Sequence, residues 1–151
     1  MKTKLMLSGV ALLLGTGYGT AVLAQAKPEV LVKQRQSAMT LIGKYFGPIA
    51  GMPSGKAPYN ADTVARNAGY LDVLVKMPWD GFTENTKDEK TRALPAVFTD
   101  TAKFKEGGDR LQSMVAQLAK VSKGGDEAAV KAAIADVGKT CAGCHENFRA
   151  K

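Results

Sequence analysis

The sequence predicts an all-α protein, an antiparallel four-helix bundle, and three observations carry that prediction. Apolar residues recur with a helical period in four separate stretches, at alternating spacings of three and four in the first, second and fourth, the pattern of a helix with one buried side. Stretches rich in glycine, proline or polar residues separate them, and no run of the chain shows a convincing two-residue strand period. The 151 residues, even with a leader removed, suffice for one domain with its own core.

The leader comes first. Met1-Lys2-Thr3-Lys4 is a short basic start, Leu5 to Leu14 is mostly apolar, and small residues follow up to Val22-Leu23-Ala24 or Ala24-Gln25-Ala26. This is the layout of a secretory signal peptide, too short and too interrupted by glycine and threonine for a membrane span. The expected division is a signal peptide over residues 1–24 and a helical domain over residues 25–151, with no membrane attachment after cleavage. Loss of Lys2 and Lys4 lowers the formal charge from +7 to +5. Such a surplus suits solubility and acidic partners, but the basic residues are scattered among acids, which points away from nucleic acid.

The first helix is expected from Pro28 to Phe46. Proline suits an opening helical position, where its missing N–H is no loss. Val32, Arg35, Met39, Ile42 and Phe46 form its seam, widened by Leu31, Ala38 and Tyr45, and Gly47-Pro48 is expected to end it. Asn60 is a good N-cap for a second helix reaching Met77, with Val64, Ala68, Leu71 and Val75 on one side and Pro78 as its stop. The polar run from Trp79 to Arg92 is expected to be a surface loop. A third helix lies within Pro95 to Ser122, its apolar side made of Phe104, Leu111, Met114, Val115, Leu118 and Val121. Gly107-Gly108 falls in its middle at a cost of about 1 kcal/mol per glycine relative to alanine. Packing can override that cost, and one continuous, weakened helix is expected. The fourth begins at Asp126 as N-cap, with Glu127 at the positive helix end, and Val130, Ile134, Val137, Cys141, Cys144 and Phe148 make its seam.

That last seam carries the chemistry. Cys141-Ala142-Gly143-Cys144-His145 has the C-x-x-C-H pattern of covalent haem attachment, in which two thiols bond the haem vinyl groups and the imidazole ligates the iron. Helical spacing puts both cysteines on one side with His145 beside it. A disulfide, a redox C-x-x-C or a zinc site are the competing readings. The redox motif normally accompanies a βαβ pattern, and zinc needs more ligands than these three residues. His145 is the only histidine of the chain, so no second histidine can close the other side of an iron.

With these residues in view, the chain resembles cytochrome c′, the class II c-type cytochromes, over essentially the whole length after the leader. The C-terminal position of the haem motif carries the resemblance. So do Lys33-Gln34-Arg35-Gln36-Ser37-Ala38, Ala57-Pro58-Tyr59, Met77-Pro78-Trp79 and Val137-Gly138 before Cys141. Gly107-Gly108 departs from the usual run of its helix. The resemblance implies a four-helix bundle with one haem c bound near the C-terminal helix, Cys141 and Cys144 as thioether anchors and His145 as the iron ligand. It further implies Arg35 near the haem propionates and Met39 over the vacant iron face. Trp79 and Phe82 would wall the pocket, and Arg149 would lie beside the proximal side. Duller readings exist for each: Arg149 as a solvated helix-end cation, Met39 as core filler, Trp79 and Phe82 as a helix-end cover.

The implied function is a periplasmic haem c protein with five-coordinate, high-spin iron. It would bind nitric oxide and carbon monoxide reversibly, exclude dioxygen and pass single electrons to redox partners. The alternative is a six-coordinate His/Met low-spin cytochrome, with Met39 as ligand, acting only as an electron carrier. Bound dioxygen gains most from a distal hydrogen bond, and Gln36, Thr40 and Trp79 are the residues that could offer one. The resemblance also suggests a homodimer built from the first two helices. With no spare histidine and no evident carboxylate pair, the sequence does not read as an enzyme.

Overall fold

The structure, a computed structural model, describes residues 26–124 and 126–151, so the signal peptide expected over residues 1–24 lies outside the described residues. Four long helices build the bundle: α1 (Pro28–Ala50), α2 (Ala61–Leu74), α4 (Thr101–Val121) and α5 (Glu127–Phe148). A one-turn helix, α3 (Ala96–Thr99), precedes α4. Around the bundle, α1 packs on α2, α2 on α4, α4 on α5, and α5 back on α1. The last contact is the sparsest of the four, which leaves a cleft between α1 and α5.

The core fills one half of the bundle. Ile42 and Ile49 of α1, Val64, Ala68 and Leu71 of α2, Leu111, Val115 and Leu118 of α4, and Val130, Ile134 and Val137 of α5 form one buried cluster. Fully burying such a side chain stabilises by about 1.5–3 kcal/mol. These residues come from the second halves of α1 and α4 and the first half of α5, as antiparallel neighbours require. The opposite halves of the same helices are left to line a cavity.

The sequence-based boundaries need four corrections. First, α1 runs through Gly47-Pro48 to Ala50. Proline removes one hydrogen bond near a helix end, and the fully buried Ile49 and nearly buried Met52 hold the last turn against the core. Asn67 of α2 helps by donating its Nδ2 to the Tyr45 carbonyl at 2.9 Å, just before the proline.

Second, α2 stops at Leu74 rather than Met77. Its end tightens into bonds from Lys76 N to Val73 O and from Met77 N to Leu74 O, and Trp79 Nε1 donates to the freed Val75 carbonyl at 2.5 Å.

Third, Trp79 to Arg92 is more than a surface loop. It contains two 3₁₀ turns, Trp79–Gly81 and Glu84–Thr86, with Gly81 and Thr86 buried against α1. Gly81 permits that approach: a Cβ there would meet the Leu31 carbonyl at 3.0 Å and Arg35 Cβ at 3.1 Å.

Fourth, the third helical stretch breaks at Asp100 (φ −114°, ψ 56°), not at Gly107-Gly108, through which α4 is continuous. Asp126 caps α5 as expected, its carboxylate accepting from the Ala128 and Ala129 amides. Asn60 likewise accepts from Thr63 N at the start of α2.

Candidate functional site

The hollow half of the bundle holds a cavity of about 590 Å³, within the size range of cofactor pockets. All nine residues singled out in the sequence line it: Arg35, Gln36 and Met39 from α1, Trp79 and Phe82 from the loop, Cys141, Cys144 and His145 from α5, and Arg149 just past its end. The spacing of α5 explains the last group. Cys141 and Cys144 lie three apart and His145 four after Cys141, so one side of the helix presents both thiols and the imidazole.

Four aromatic rings wall the cavity in sequence. Trp79 and Phe82 lie with centroids 6.4 Å apart, Phe82 and Phe104 at 4.8 Å, and Phe104 and Phe148 at 5.2 Å. The last two pairs pack edge to face, an arrangement worth about 0.5–1.5 kcal/mol per pair beyond the area it buries. The Trp79 ring lies flat against α4 at Gly108, where an added Cβ would come within 3.1 Å of it. By their period Phe104 and Phe148 are seam residues; nothing in a helical period distinguishes a core position from a cavity wall.

Arg35 is 2% exposed. Its Nη1 donates to the Gly81 carbonyl at 2.7 Å and to Thr86 Oγ1 at 2.8 Å, and its guanidinium sits 4.4 Å from the centre of the Phe82 ring. Burial pulls its pKa below the usual arginine value, though the group stays charged. Its Nη2 is buried without a hydrogen-bond partner. An orphaned charged donor on a cavity wall is costly unless a ligand accepts from it, and a carboxylate matches the fork.

At the other side of the cavity, residues 92–94 and 148–150 clasp one another. Leu94 N donates to Phe148 O, Ala150 N to Arg92 O, and Arg92 Nε and Nη2 both donate to Ala150 O. The clasp brings Arg92 near His145, whose pKa is lowered by burial, then by the charges of Arg149 and Arg92. Arg92, Thr91 and Ala93 line the cavity and were missed in the sequence. They sit in an irregular stretch with no period to betray them.

The two thiols bear on the readings of C-x-x-C-H. Both are free. Burial pushes each above its ordinary value, for Cys141 with the charge of Cys144 adding to it. A redox C-x-x-C works through a lowered thiolate pKa, the opposite of what this site imposes. Among the described residues, no three His, Cys, Asp or Glu side chains gather as a metal-holding group. An apolar, aromatic-walled cavity with two protonated thiols, one imidazole and an unsatisfied arginine fits a haem with carboxylate arms.

The family model described as Cytochrome C′ matches residues 30–149. The chain belongs to the cytochrome c′ family. A relative with that name from Rubrivivax gelatinosus is 41% identical over 126 residues, covering 83% of this chain and 98% of the relative. The crystal structure of cytochrome c′ from that organism aligns with a TM-score of 0.76 over 82% of this chain and 98% of its own. A nitric oxide complex of a mutant cytochrome c′ from Alcaligenes xylosoxidans, 37% identical, aligns with a TM-score of 0.75 over 84% of this chain and 98% of that one. The all-α four-helix bundle expected from the sequence is the fold of this cytochrome c′, and its cofactor is haem c.

Proposed function

We propose that this cytochrome c′ binds nitric oxide reversibly at a five-coordinate, high-spin iron, takes up carbon monoxide likewise, discriminates against dioxygen, and also passes single electrons. Haem c supplies an iron whose side opposite the histidine takes up a diatomic ligand and whose charge changes by one electron. In this reading Cys141 and Cys144 hold the group covalently and His145 ligates the iron. The unpaired Arg35 Nη2 receives a propionate, and Met39 covers the opposite iron face with apolar bulk. Trp79 and Phe82 wall the pocket, Gln36 borders it, and Arg149 lies by the proximal side.

The observation that carries the discrimination is the fate of the candidate donors. Trp79 Nε1 is committed to the Val75 carbonyl, and Thr40 Oγ1 donates back to Gln36 O at 2.9 Å. With His145 the sole histidine, only the Gln36 amide remains of the three donors considered. A distal side whose three candidate donors are reduced to one favours nitric oxide and carbon monoxide over dioxygen. The nitric oxide complex of the Alcaligenes relative supports the choice of ligand. Optical and electron spin resonance spectra of the holo-protein, ferric and ferrous, with and without nitric oxide, test it. High-spin spectra and a ferrous nitric oxide species are expected; a stable dioxygen complex at neutral pH, or a permanent sixth ligand from the chain, overturns it.

Export to the periplasm rests on the leader over residues 1–24. Among the described residues no helix is long and apolar enough to cross a membrane. A homodimer through α1 and α2 is supported by Leu41, Tyr70 and Val73 on those helices and Met77 just past α2, all at least 40% exposed, and by Tyr45 packing on Tyr70 at 4.8 Å. The protein's work in this reading is binding and electron transfer rather than catalysis.

A further inference from the structure

The clasp between residues 92–94 and 148–150 closes the end of the helix that carries His145, yet nothing in the function proposed above uses it. It is held from both sides. Phe148 and Val97, which flank it, are buried. Leu94 N donates to Phe148 O at 3.0 Å and Ala150 N to Arg92 O at 2.8 Å, and Ala93 and Arg149 pair as an antiparallel bridge. Arg92 joins this pairing with its side chain as well: Nε and Nη2 both donate to Ala150 O, at 3.1 and 2.6 Å. Two N–H groups of one rigid plane on a single oxygen fix the guanidinium more narrowly than one contact from a flexible ammonium could.

The place where it is fixed is beside the histidine. Arg92, Arg149 and His145 line the same cavity, and the charges that act on the imidazole are those of the two arginines. Among the described residues every ion pair belongs to a lysine, so neither arginine is neutralised by a carboxylate. A histidine that ligates a metal usually hands its other ring N–H to a carboxylate or carbonyl, which makes it a stronger donor to the metal. His145 has two cations for neighbours instead, and a cation opposes the build-up of negative charge on the ring. Arg149 reaches this side by following α5. Arg92 comes from a distant, irregular stretch, and the clasp is what puts it there.

We propose that Arg92 is a positioning residue acting through His145: gripping the Ala150 carbonyl, it keeps a second positive charge beside the imidazole, weakening the histidine's bond to the iron and raising the reduction potential. The inference rests on the reading above in which His145 ligates a five-coordinate iron. Ferric iron carries one more positive charge than ferrous, so a fixed cation nearby favours the ferrous state. The guanidinium cannot relieve this by losing its proton.

The test uses holo-protein carrying Arg92→Gln or Arg92→Lys, with Lys120→Gln in the last turn of α4 as the control for net charge. Resonance Raman spectra of the ferrous form read the iron–histidine stretch, and redox titration reads the midpoint potential. Because His145 is the sole histidine, labelling with nitrogen-15 histidine marks that band without ambiguity and should lower its frequency in the unaltered protein. Arg92→Gln is expected to move the band to higher frequency and the potential to a more negative value, the second difference shrinking as salt rises. Arg92→Lys, which keeps the charge and loses the fork, should stay close to the unaltered protein in both, and Lys120→Gln should leave the band in place. Hydrogen exchange at the Leu94 and Ala150 amides reports the clasp itself, which both Arg92 variants should loosen. A band and potential unchanged in Arg92→Gln, or moved equally by the glutamine and the lysine, overturns the proposal; the latter result would make Arg92 a mechanical tie. A band that is absent from the unaltered protein, or indifferent to the label, overturns the ligation reading beneath it and the proposal with it.

Discussion

Arg35 and Thr86, 51 residues apart in the chain, are joined by a buried 2.8 Å hydrogen bond that ties the loop after α2 to the first helix. The same Nη1 holds the Gly81 carbonyl. One guanidinium thus fastens both 3₁₀ turns and still has an arm left for the cavity. Arg35→Leu is expected to strand the Gly81 and Thr86 acceptors and lower holo-protein stability by about 1–3 kcal/mol. Arg35→Lys, keeping charge but losing the fork, should fall in between. Denaturant midpoints of the three proteins decide it, and an unchanged midpoint for the leucine protein would show that the loop does not depend on this pin.

The neighbouring glycines of α4 should respond to alanine with opposite signs. At Gly107 the new methyl meets Cys144 Sγ at an ordinary 3.6 Å, so the helix gains about 0.5–1 kcal/mol. At Gly108 it meets three Trp79 ring atoms at 3.1–3.2 Å, and that ring is held by its bond to Val75 O. Overpacking of this kind costs about 1–3 kcal/mol, more than the helix gains. Chemical denaturation of both single variants measures the pair; the reverse order would mean that Trp79 does not rest on α4.

Those glycines also show what was legible beforehand. The helical periods placed the seams of all four long helices, and the caps at Asn60 and Asp126 follow from residue type alone. The C-x-x-C-H run marked the one helix side that matters. The helix ends were harder. Ile49 and Met52 carry α1 past Pro48 through long-range burial, which no local signal reports. The clasp of Arg92 with Ala150 and the 3₁₀ turns are equally silent, because backbone-to-backbone pairing between irregular segments leaves no periodic trace. The helix expected to continue through Gly107-Gly108 does so, and Trp79 packs on the bare backbone at Gly108; the break at Asp100 has no counterpart in the residue pattern.

Met39 separates the two forms of the proposed function. If it only covers the iron, Met39→Leu leaves the ferric and ferrous spectra unchanged and costs less than about 1.5 kcal/mol in stability, as volume-conserving swaps do. Met39→Ala then opens the site, and nitric oxide uptake is expected to quicken, measurable by stopped-flow absorbance. If Met39 is a ligand, the leucine protein converts from low-spin to high-spin spectra.

The thiols of the cofactor-free chain are expected to be sluggish. Burial raises both above the ordinary 9.0, for Cys141 with help from the Cys144 charge. Alkylation by iodoacetamide, followed by peptide mass mapping, should therefore accelerate only at pH above about 9, since thiolate is the nucleophile. The stability sign follows from the same preference. The fold favours the neutral thiol, so nothing is lost below the unfolded-state value, and the chain weakens as pH rises past it. Fast alkylation of the folded chain at neutral pH would show the thiols to be ionised instead.

The order of parts along the polypeptide sets how the molecule is assembled. Arg35, Met39, Trp79 and Phe82 precede the anchoring cysteines, so a chain threaded N-terminus first through a membrane delivers the walls of the chamber before the hooks. Both sulfurs face the chamber that the cleft between α1 and α5 borders, so the last helix to be delivered supplies the covalent grip on a group whose walls have already emerged.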